Sequence, residues 1–350
     1  MNKIQIGNKI VSIDHPTLII AEIGINHQGD VNIAKHLIQE AIKCGADAVK
    51  FQKRNISRIL TKKGLEMPYA NRNSFGKTYG EHKRVLELSE ENYYELFEYS
   101  NSLGVFFCAS GWDEESVDFL DKLGVPFFKM ASADLTNFPL LEYTAKIGKP
   151  ILLSTGMSDI TMVKNAVKLI KRYNDQIAVL QCTSTYPSKF DEIHLNVLRT
   201  YIEEFPNAVI GYSGHELGIA IPPVAVGLGA RIIERHFTLD RTMKGGDHSA
   251  SLEPQGFTKM VRDIRHVEQA MGGYEKNVQE SELPIFKKLA KSIVSTINIP
   301  EGKIVTREML TTKGPGTGLS PMKINKVLGK TTLRNIPADT VINEEDIKWV

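Results

Sequence analysis

Eight times along the chain, a short run of β-branched and aromatic residues gives way to a stretch of helical periodicity. The strand-like runs are TLIIAEIG (17–24), ADAVKFQ (46–52), VFFCAS (105–110), PFFKMAS (126–132), PILLST (150–155), IAVLQCT (177–183), AVIGYS (208–213) and RIIERHF (231–237). Segments such as VNIAKHLIQEAIKC, EESVDFLDKL and MVKNAVKLIKRY stand between them, and PQGFTKMVRDIRHVEQAMGG follows the last. Parallel strands joined by right-handed helical crossovers satisfy this order, and eight such α/β units close into a (β/α)8 TIM barrel. A doubly wound open sheet is the competing arrangement. The count of eight and the lack of a GxGxxG turn after the first strand weigh against it. One long insertion, Lys53 to Leu88, interrupts the pattern after the second strand.

The ends of the chain read differently. Residues 3–13 alternate about Gly7-Asn8 and predict a β-hairpin ahead of the barrel. After residue 272 the polar stretch GGYEKNVQESELP reads as a linker. The expected division is 1–272 for hairpin and barrel, 273–288 for the linker, and 289–350 for a small β-rich domain. Within that domain NIPEGKIVTREML (298–310) and NIPADTVINEEDI (335–347) form a near-repeat, which predicts two similar turns.

Composition removes several function classes. The 350 residues are 42% hydrophobic and 24% charged, with a formal net charge of +2. That balance argues against a nucleic-acid partner. No apolar stretch is long enough to span a membrane, and MNKIQIGNK lacks the core of a signal peptide. Cys44, Cys108 and Cys182 have no paired spacing, which predicts reduced, buried thiols and a cytoplasmic setting. Cys182 reads as a packing residue with no base beside it.

Polar residues recur at the strand ends, where barrels of this class build their sites. Strand one ends in Glu22, with Asn26 and His27 beyond; strand two carries Lys50 and Gln52; strand three ends at Ser110. Strand four supplies Lys129, Ser132 and Asp134, and strand five Ser154; strand six leads to Ser184 and Tyr186. Strands seven and eight give Ser213, His215, Glu234 and His236, and Asp247, His248 and Ser249 follow. Two histidines at the same end of neighbouring strands can hold one divalent metal and leave positions for substrate and water. A lysine inside a barrel strand needs a counter-charge, so Lys50 and Lys129 with nearby serines predict a phosphate or carboxylate pocket. The competing reading is that Lys129 pairs internally with Glu234 or Asp134.

The segments IIAEIGINHQGD, GADAVKFQK, VPFFKMAS, LSTGM, QCTSTYP, IGYSGHELG, ERHFTLD and GGDHSASLEP, in this order, resemble the sialic acid (N-acetylneuraminate) synthases, and the tail resembles their antifreeze-like (SAF) domain. The resemblance implies condensation of phosphoenolpyruvate with N-acetylmannosamine, or a related N-acylated hexosamine or its phosphate. It also implies a divalent metal on His215 and His236, Mn²⁺ first, with Mg²⁺ or Co²⁺ as substitutes. Phosphoenolpyruvate contacts fall on Lys50, Ser110, Lys129, Ser132, Ser154, Ser184 and Ser213, and sugar contacts on Glu22, Gln52, Tyr186 and Asp247. Asp134 stands where some members have Glu, a residue assigned to orient the attacking water. The resemblance further implies a domain-swapped homodimer.

Two features set the acceptor expectation. Gly314 stands where free-sugar members carry an arginine, and the insertion stretch SFGKTYGEHKRVLELS is closer to the animal-type 9-phosphate synthases. Together they favour a 6-phosphorylated acceptor, with Lys77, Lys83 and Arg84 as its candidate cations. Related nonulosonates (Kdn, legionaminate, pseudaminate), another phosphoenolpyruvate-condensing barrel, and a scaffold on a decayed barrel are the other readings.

Overall fold

A computed structural model describes residues 2–349. The chain divides into two compact units, Met1–Gly272 and Gly273–Val350. In the first, β1 (Lys3–Ile6) and β2 (Lys9–Ser12) form an antiparallel hairpin. Eight parallel strands follow: β3 (Leu18–Gly24), β4 (Ala48–Lys53), β5 (Phe106–Gly111), β6 (Phe128–Met130), β7 (Ile151–Ser154), β8 (Ile177–Cys182), β9 (Val209–Gly214) and β10 (Ile232–His236). Hydrogen bonding runs in the order β5-β4-β3-β10-β9-β8-β7-β6. β5 and the three-residue β6 lie against each other across the remaining seam, so the barrel is nearly closed. These strands and the helices between them form the expected TIM barrel.

Strand alternation sorts the side chains into layers. Outward residues such as Ile19, Val49, Phe107, Leu153 and Ile233 pack against the surrounding helices. The helix Val31–Lys43 shows the pattern: Asp30 caps it by accepting from the amides of Asn32 and Ile33, and Ala34, Leu37, Ile38 and Ala41 form its buried stripe. Inward residues at the lower end, among them Ile20, Ala48, Cys108, Phe127, Leu152, Leu180, Val209 and Ile232, pack against Ile4, Ile6 and Val11 of the hairpin. The hairpin therefore plugs the barrel floor. Two residues further along most of the strands, the inward positions turn polar: Glu22, Lys50, Ser110, Lys129, Ser154, Ser213 and Glu234, all buried.

Several elements differ from the sequence reading. The fourth strand shrinks to Phe128–Met130, because Ser132–Asp134 turn into a 3₁₀ helix. The crossover between the seventh and eighth strands is helical only at Ile221–Gly227, starting where Pro222 and Pro223 fit a first turn. The insertion carries three short helices, Ile56–Ile59, Lys62–Glu66 and Tyr79–Val85. The last is opened by a reciprocal Thr78–Glu81 capping box. At the end of the polar linker, Leu283–Leu289 forms a helix.

The second unit explains the near-repeat. Ile299 and Ile336 bridge antiparallel. The Asn298 side chain accepts from the Ala338 amide, and that of Asn335 accepts from the Glu301 amide. The two NIP turns thus bind each other reciprocally over a core that includes Ile293, Val305, Leu319 and Ile342. Within the first unit, the plug sets one expectation. Ile6 is fully buried. Ile6→Ala should lower stability by about 2–5 kcal/mol, read as an earlier urea midpoint; an unchanged midpoint would remove the plug from the barrel's core.

Candidate active site

Above the apolar floor lies a cavity of about 260 Å³, lined by Glu22, Lys50, Gln52, Ser110, Trp112, Lys129, Ser132, Ser154, Cys182, Ser184, Tyr186, Ser213, His215, Glu234 and His236 among others. Twelve of the fourteen site residues read from the sequence are on this wall. Asp134 and Asp247 are not.

Its lower half is an ion-pair cluster. Lys50 Nζ lies 2.7 Å from Glu22 Oε2 and 3.8 Å from Glu234 Oε1, and donates to Ser110 Oγ at 3.3 Å. Lys129 Nζ donates to Ser154 Oγ at 2.6 Å and stands 3.8 Å from the same Glu234 oxygen. Ser213 Oγ also donates to that oxygen, at 3.1 Å. Of the two internal partners open to Lys129, the structure selects Glu234; Asp134 instead accepts from Asn137 Nδ2 at 3.0 Å. Burial opposes the charge on Lys50, but Glu22 and Glu234 hold its pKa above the ordinary lysine value. Burial brings Lys129 below that value, against the pull of Glu234. Burial pushes Glu22 above the carboxyl range, whereas Lys129 and Lys50 overcome burial at Glu234 and hold it low.

Gly156 shapes the next layer. A Cβ there would stand 2.1 Å from Ser184 Oγ and 2.9 Å from Ser132 Oγ, so a side chain just past β7 would collide with both hydroxyls. The Gly156 amide donates to Ser132 Oγ at 3.0 Å.

The upper half holds the histidines. His215 follows β9 directly, and His236 ends the neighbouring β10. Their ring centroids are 5.2 Å apart. Tyr186 lies over His215 at 4.1 Å and meets His236 edge-on at 5.6 Å. His215 Nδ1 is 2.8 Å from the Thr183 carbonyl, which can only accept, so this nitrogen carries a proton. Glu216, the next residue, is pinned by a fully buried ion pair with Arg235 at 2.6 Å and by the Tyr212 hydroxyl at 2.7 Å. That network fixes the loop that presents His215.

The loop bearing Asp247 is equally tied. Asn26 Nδ2 donates to the Phe237 carbonyl and Ser251 Oγ, Ser251 Oγ donates to the Asp247 carbonyl, and His248 Nδ1 pairs with the Thr238 hydroxyl at 2.7 Å. Asp247 Oδ2 ends 3.6 Å from His236 Nδ1. A Cβ on Gly24 would touch Glu22 Oε1, Gln52 Nε2 and Asp247 Oδ2 within 3.4 Å. Gly24, at φ 54°, therefore leaves open the space where these three polar groups converge.

The imidazoles fit a divalent ion. His236 Nδ1 is buried without a hydrogen-bond partner, and burial, His215 and Lys50 hold that ring neutral, the form that ligates. No group of three or more ligating side chains converges among the described residues. The pair could therefore supply at most two ligands to such an ion.

Several residues take places the sequence did not show. Cys182 has an imidazole beside it after all: Sγ is 3.9 Å from the Nδ1–H of His215. Burial alone would raise this thiol, but His215, Ser132 and Lys129 bring it below the ordinary value. Trp112 lines the cavity and was missed, although it lies two residues beyond Ser110 and the alternation points it inward. His27 is structural: it accepts from the Gly29 amide at 3.0 Å, packs on Phe51, and burial takes its pKa down to about 3. Asp134 does not line the cavity, and its Oδ2 is buried and unpartnered.

Comparison with known proteins places this geometry. The NeuB family model matches residues 37–276 and the SAF domain model residues 290–348. The N-acetylneuraminate-9-phosphate synthase of Homo sapiens is 49% identical over 332 residues, 95% of this chain and 92% of that protein. The N,N'-diacetyllegionaminic acid synthase of Legionella pneumophila is 39% identical, over 94% of each chain. A crystal structure of N-acetylneuraminic acid (sialic acid) synthetase from Leptospira borgpetersenii, in complex with citrate, superposes with a TM-score of 0.72 at 32% identity, covering 81% of this chain and 95% of that one. A polar barrel mouth over an apolar floor, and family matches that together run from residue 37 to residue 348, lead to one conclusion: the chain belongs to the NeuB family of sialic acid synthases and carries a SAF domain.

Proposed function

We propose that the protein condenses phosphoenolpyruvate with N-acetylmannosamine or its 6-phosphate, giving N-acetylneuraminate or its 9-phosphate and inorganic phosphate. The observation that carries this reading is the convergence, in one cavity, of two buried lysines with hydroxyls below and two imidazoles above. The human relative, named for the 9-phosphate product, supports the phosphorylated acceptor. The Legionella relative keeps a related nonulosonate as the second reading.

The reaction joins C3 of phosphoenolpyruvate to the aldehyde carbon of the open-chain sugar, whose oxygen gains a proton. Water adds at C2 and gives up a proton, and the tetrahedral centre expels phosphate with cleavage of the C–O bond. Lys50 and Lys129, with Ser110, Ser132, Ser154, Ser184 and Ser213, would hold the phosphate and carboxylate, an orienting and electrostatic contribution. Glu22, Gln52, Tyr186 and Asp247 would hold the sugar with its aldehyde toward C3. The resemblance assigns Asp134 the orienting of the attacking water, but the residue is not part of the cavity wall and its Oδ2 is buried, so the structure gives that role no support. A divalent ion on His215 and His236, Mn²⁺ before Mg²⁺ or Co²⁺, would polarise the acceptor carbonyl as a Lewis acid. We further propose a homodimer in which the SAF domain of one chain covers the barrel of the other.

A phosphate-release assay with phosphoenolpyruvate, metal and a panel of sugars tests the reading; no release with any hexosamine would sink it. In that assay a chelator should abolish turnover and Mn²⁺ restore it. His215→Ala and His236→Ala should each cost more than the roughly 10–100-fold typical of losing an outer-shell partner. Full activity in metal-free buffer would remove the metal. Lys129→Ala should raise the KM for phosphoenolpyruvate, a loss of about 1.5–3 kcal/mol, and leave the acceptor KM alone; a change confined to the acceptor would reassign that lysine. Sedimentation equilibrium should return the mass of two chains, and a monomer at micromolar concentration would rule out the shared site.

A further inference from the structure

We propose that Arg54 and Lys83 form a second anion subsite at the barrel mouth, which binds the terminal phosphate of a 6-phosphorylated acceptor. The inference rests on the phosphorylated-acceptor reading and assigns the residues that would recognise that group.

Arg54 lies two residues beyond Gln52, one past the end of β4, so the alternation that turns Lys50 and Gln52 inward brings Arg54 to the same side at the rim. Its guanidinium carbon is 5.9 Å from the ring of Trp112, itself part of the cavity wall. Nε donates to Glu87 Oε2 at 3.1 Å. Nη1 and Nη2 are both buried and have no partner. The residue is 2% exposed. A buried guanidinium with two unused nitrogens is costly unless an anion meets it, and a phosphate matches that fork.

Lys83 supplies the second charge. It stands on the helix Tyr79–Val85, half-buried, and burial followed by the field of Arg54 takes its pKa down to about 8. Asp247 and Glu87 act in the opposite direction on Lys83. Lys83 Nζ lies 5.1 Å from the ring of Tyr79 on the same helix. Burial raises the pKa of Asp247 against the fields of His215, Lys83 and Arg54, so both cations lie within electrostatic reach of the sugar-side carboxylate. Glu87 is already engaged by Arg54, and Lys53 lies 3.9 Å from it. This cationic group is four residues up β4 from Lys50, about 13 Å at the rise of a strand. The condensation brings together two phosphorylated molecules, and the barrel thus offers one cationic centre in its depth and another at its rim. Lys77 and Arg84, the other two candidate cations for the acceptor phosphate, are placed differently: both are exposed, and Lys77 lines a separate groove with Tyr69 and Asn71.

The test is kcat/KM for N-acetylmannosamine and for its 6-phosphate, in wild type, Lys83→Gln and Arg54→Lys. Wild type should prefer the 6-phosphate. Lys83→Gln should lose about 10- to 100-fold against the 6-phosphate and stay within about twofold against the free sugar. The free sugar doubles as the control for folding. Arg54→Lys should shift the same ratio; if the loss of the Glu87 contact unfolds it, the half-buried Lys83 variant decides alone. Wild-type preference for the 6-phosphate with an unchanged ratio in Lys83→Gln, or an equal loss on both acceptors, would overturn the subsite and leave the phosphorylated-acceptor reading standing. Wild-type preference for the free sugar would overturn both.

Discussion

Four ionisable side chains buried inside the barrel depend on one another. Lys50 and Lys129 share Glu234, and Lys50 also holds Glu22. None would tolerate that depth alone, since removing one partner of a buried pair leaves an uncompensated charge. Their depth is set from below. The hairpin residues Ile4, Ile6 and Val11 close the floor with inward apolar side chains, so the charged layer has protein beneath it and an opening only at the strand ends. The mouth is therefore the one direction from which an anion can approach the lysines.

The upper half depends on contacts made outside the barrel. His215 is aimed by the Thr183 carbonyl on one side and by a loop anchored through Glu216, Arg235 and Tyr212 on the other. Arg235 points outward from the same strand whose inward residues are Glu234 and His236, so one strand both supplies site residues and fixes a neighbour's loop. Asp247 is held in a similar way by Asn26, Ser251 and the Thr238–His248 contact. The insertion adds the rim: Glu87 ties it to Arg54 through both the backbone amide and Nε. Lys83 is thereby brought close enough for Arg54 to depress its pKa.

Strand parity accounts for most of what could be read in advance. Lys50 and Gln52, or Glu234 and His236, are two apart on strands with continuous apolar flanks, and a period of two leaves them one common face. Trp112 and Arg54 obey the same rule. They were missed because each lies just past its strand, where the pattern gives way to loop composition. The short β6 and the trimmed Ile221–Gly227 helix went astray for the same reason, as turn chemistry at Ser132–Asp134 and Pro222-Pro223 overrode local propensity.

The amino-acid order by itself determined the eight units, the inward set on each strand and the two NIP turns of the tail, because each follows from residues close in the chain. Only the tertiary structure decided which partners those residues take. Lys129 chose Glu234 over Asp134, although Asp134 is five residues away and Glu234 more than a hundred, because barrel closure brings β10 across from β6 while the 3₁₀ turn carries Asp134 off the cavity wall. Cys182 acquired a histidine, and Arg54 was left with two unused nitrogens, for the same physical reason. Charge pairing is set by distance in space, and closing eight strands into a ring makes neighbours of residues that no spacing along the chain relates.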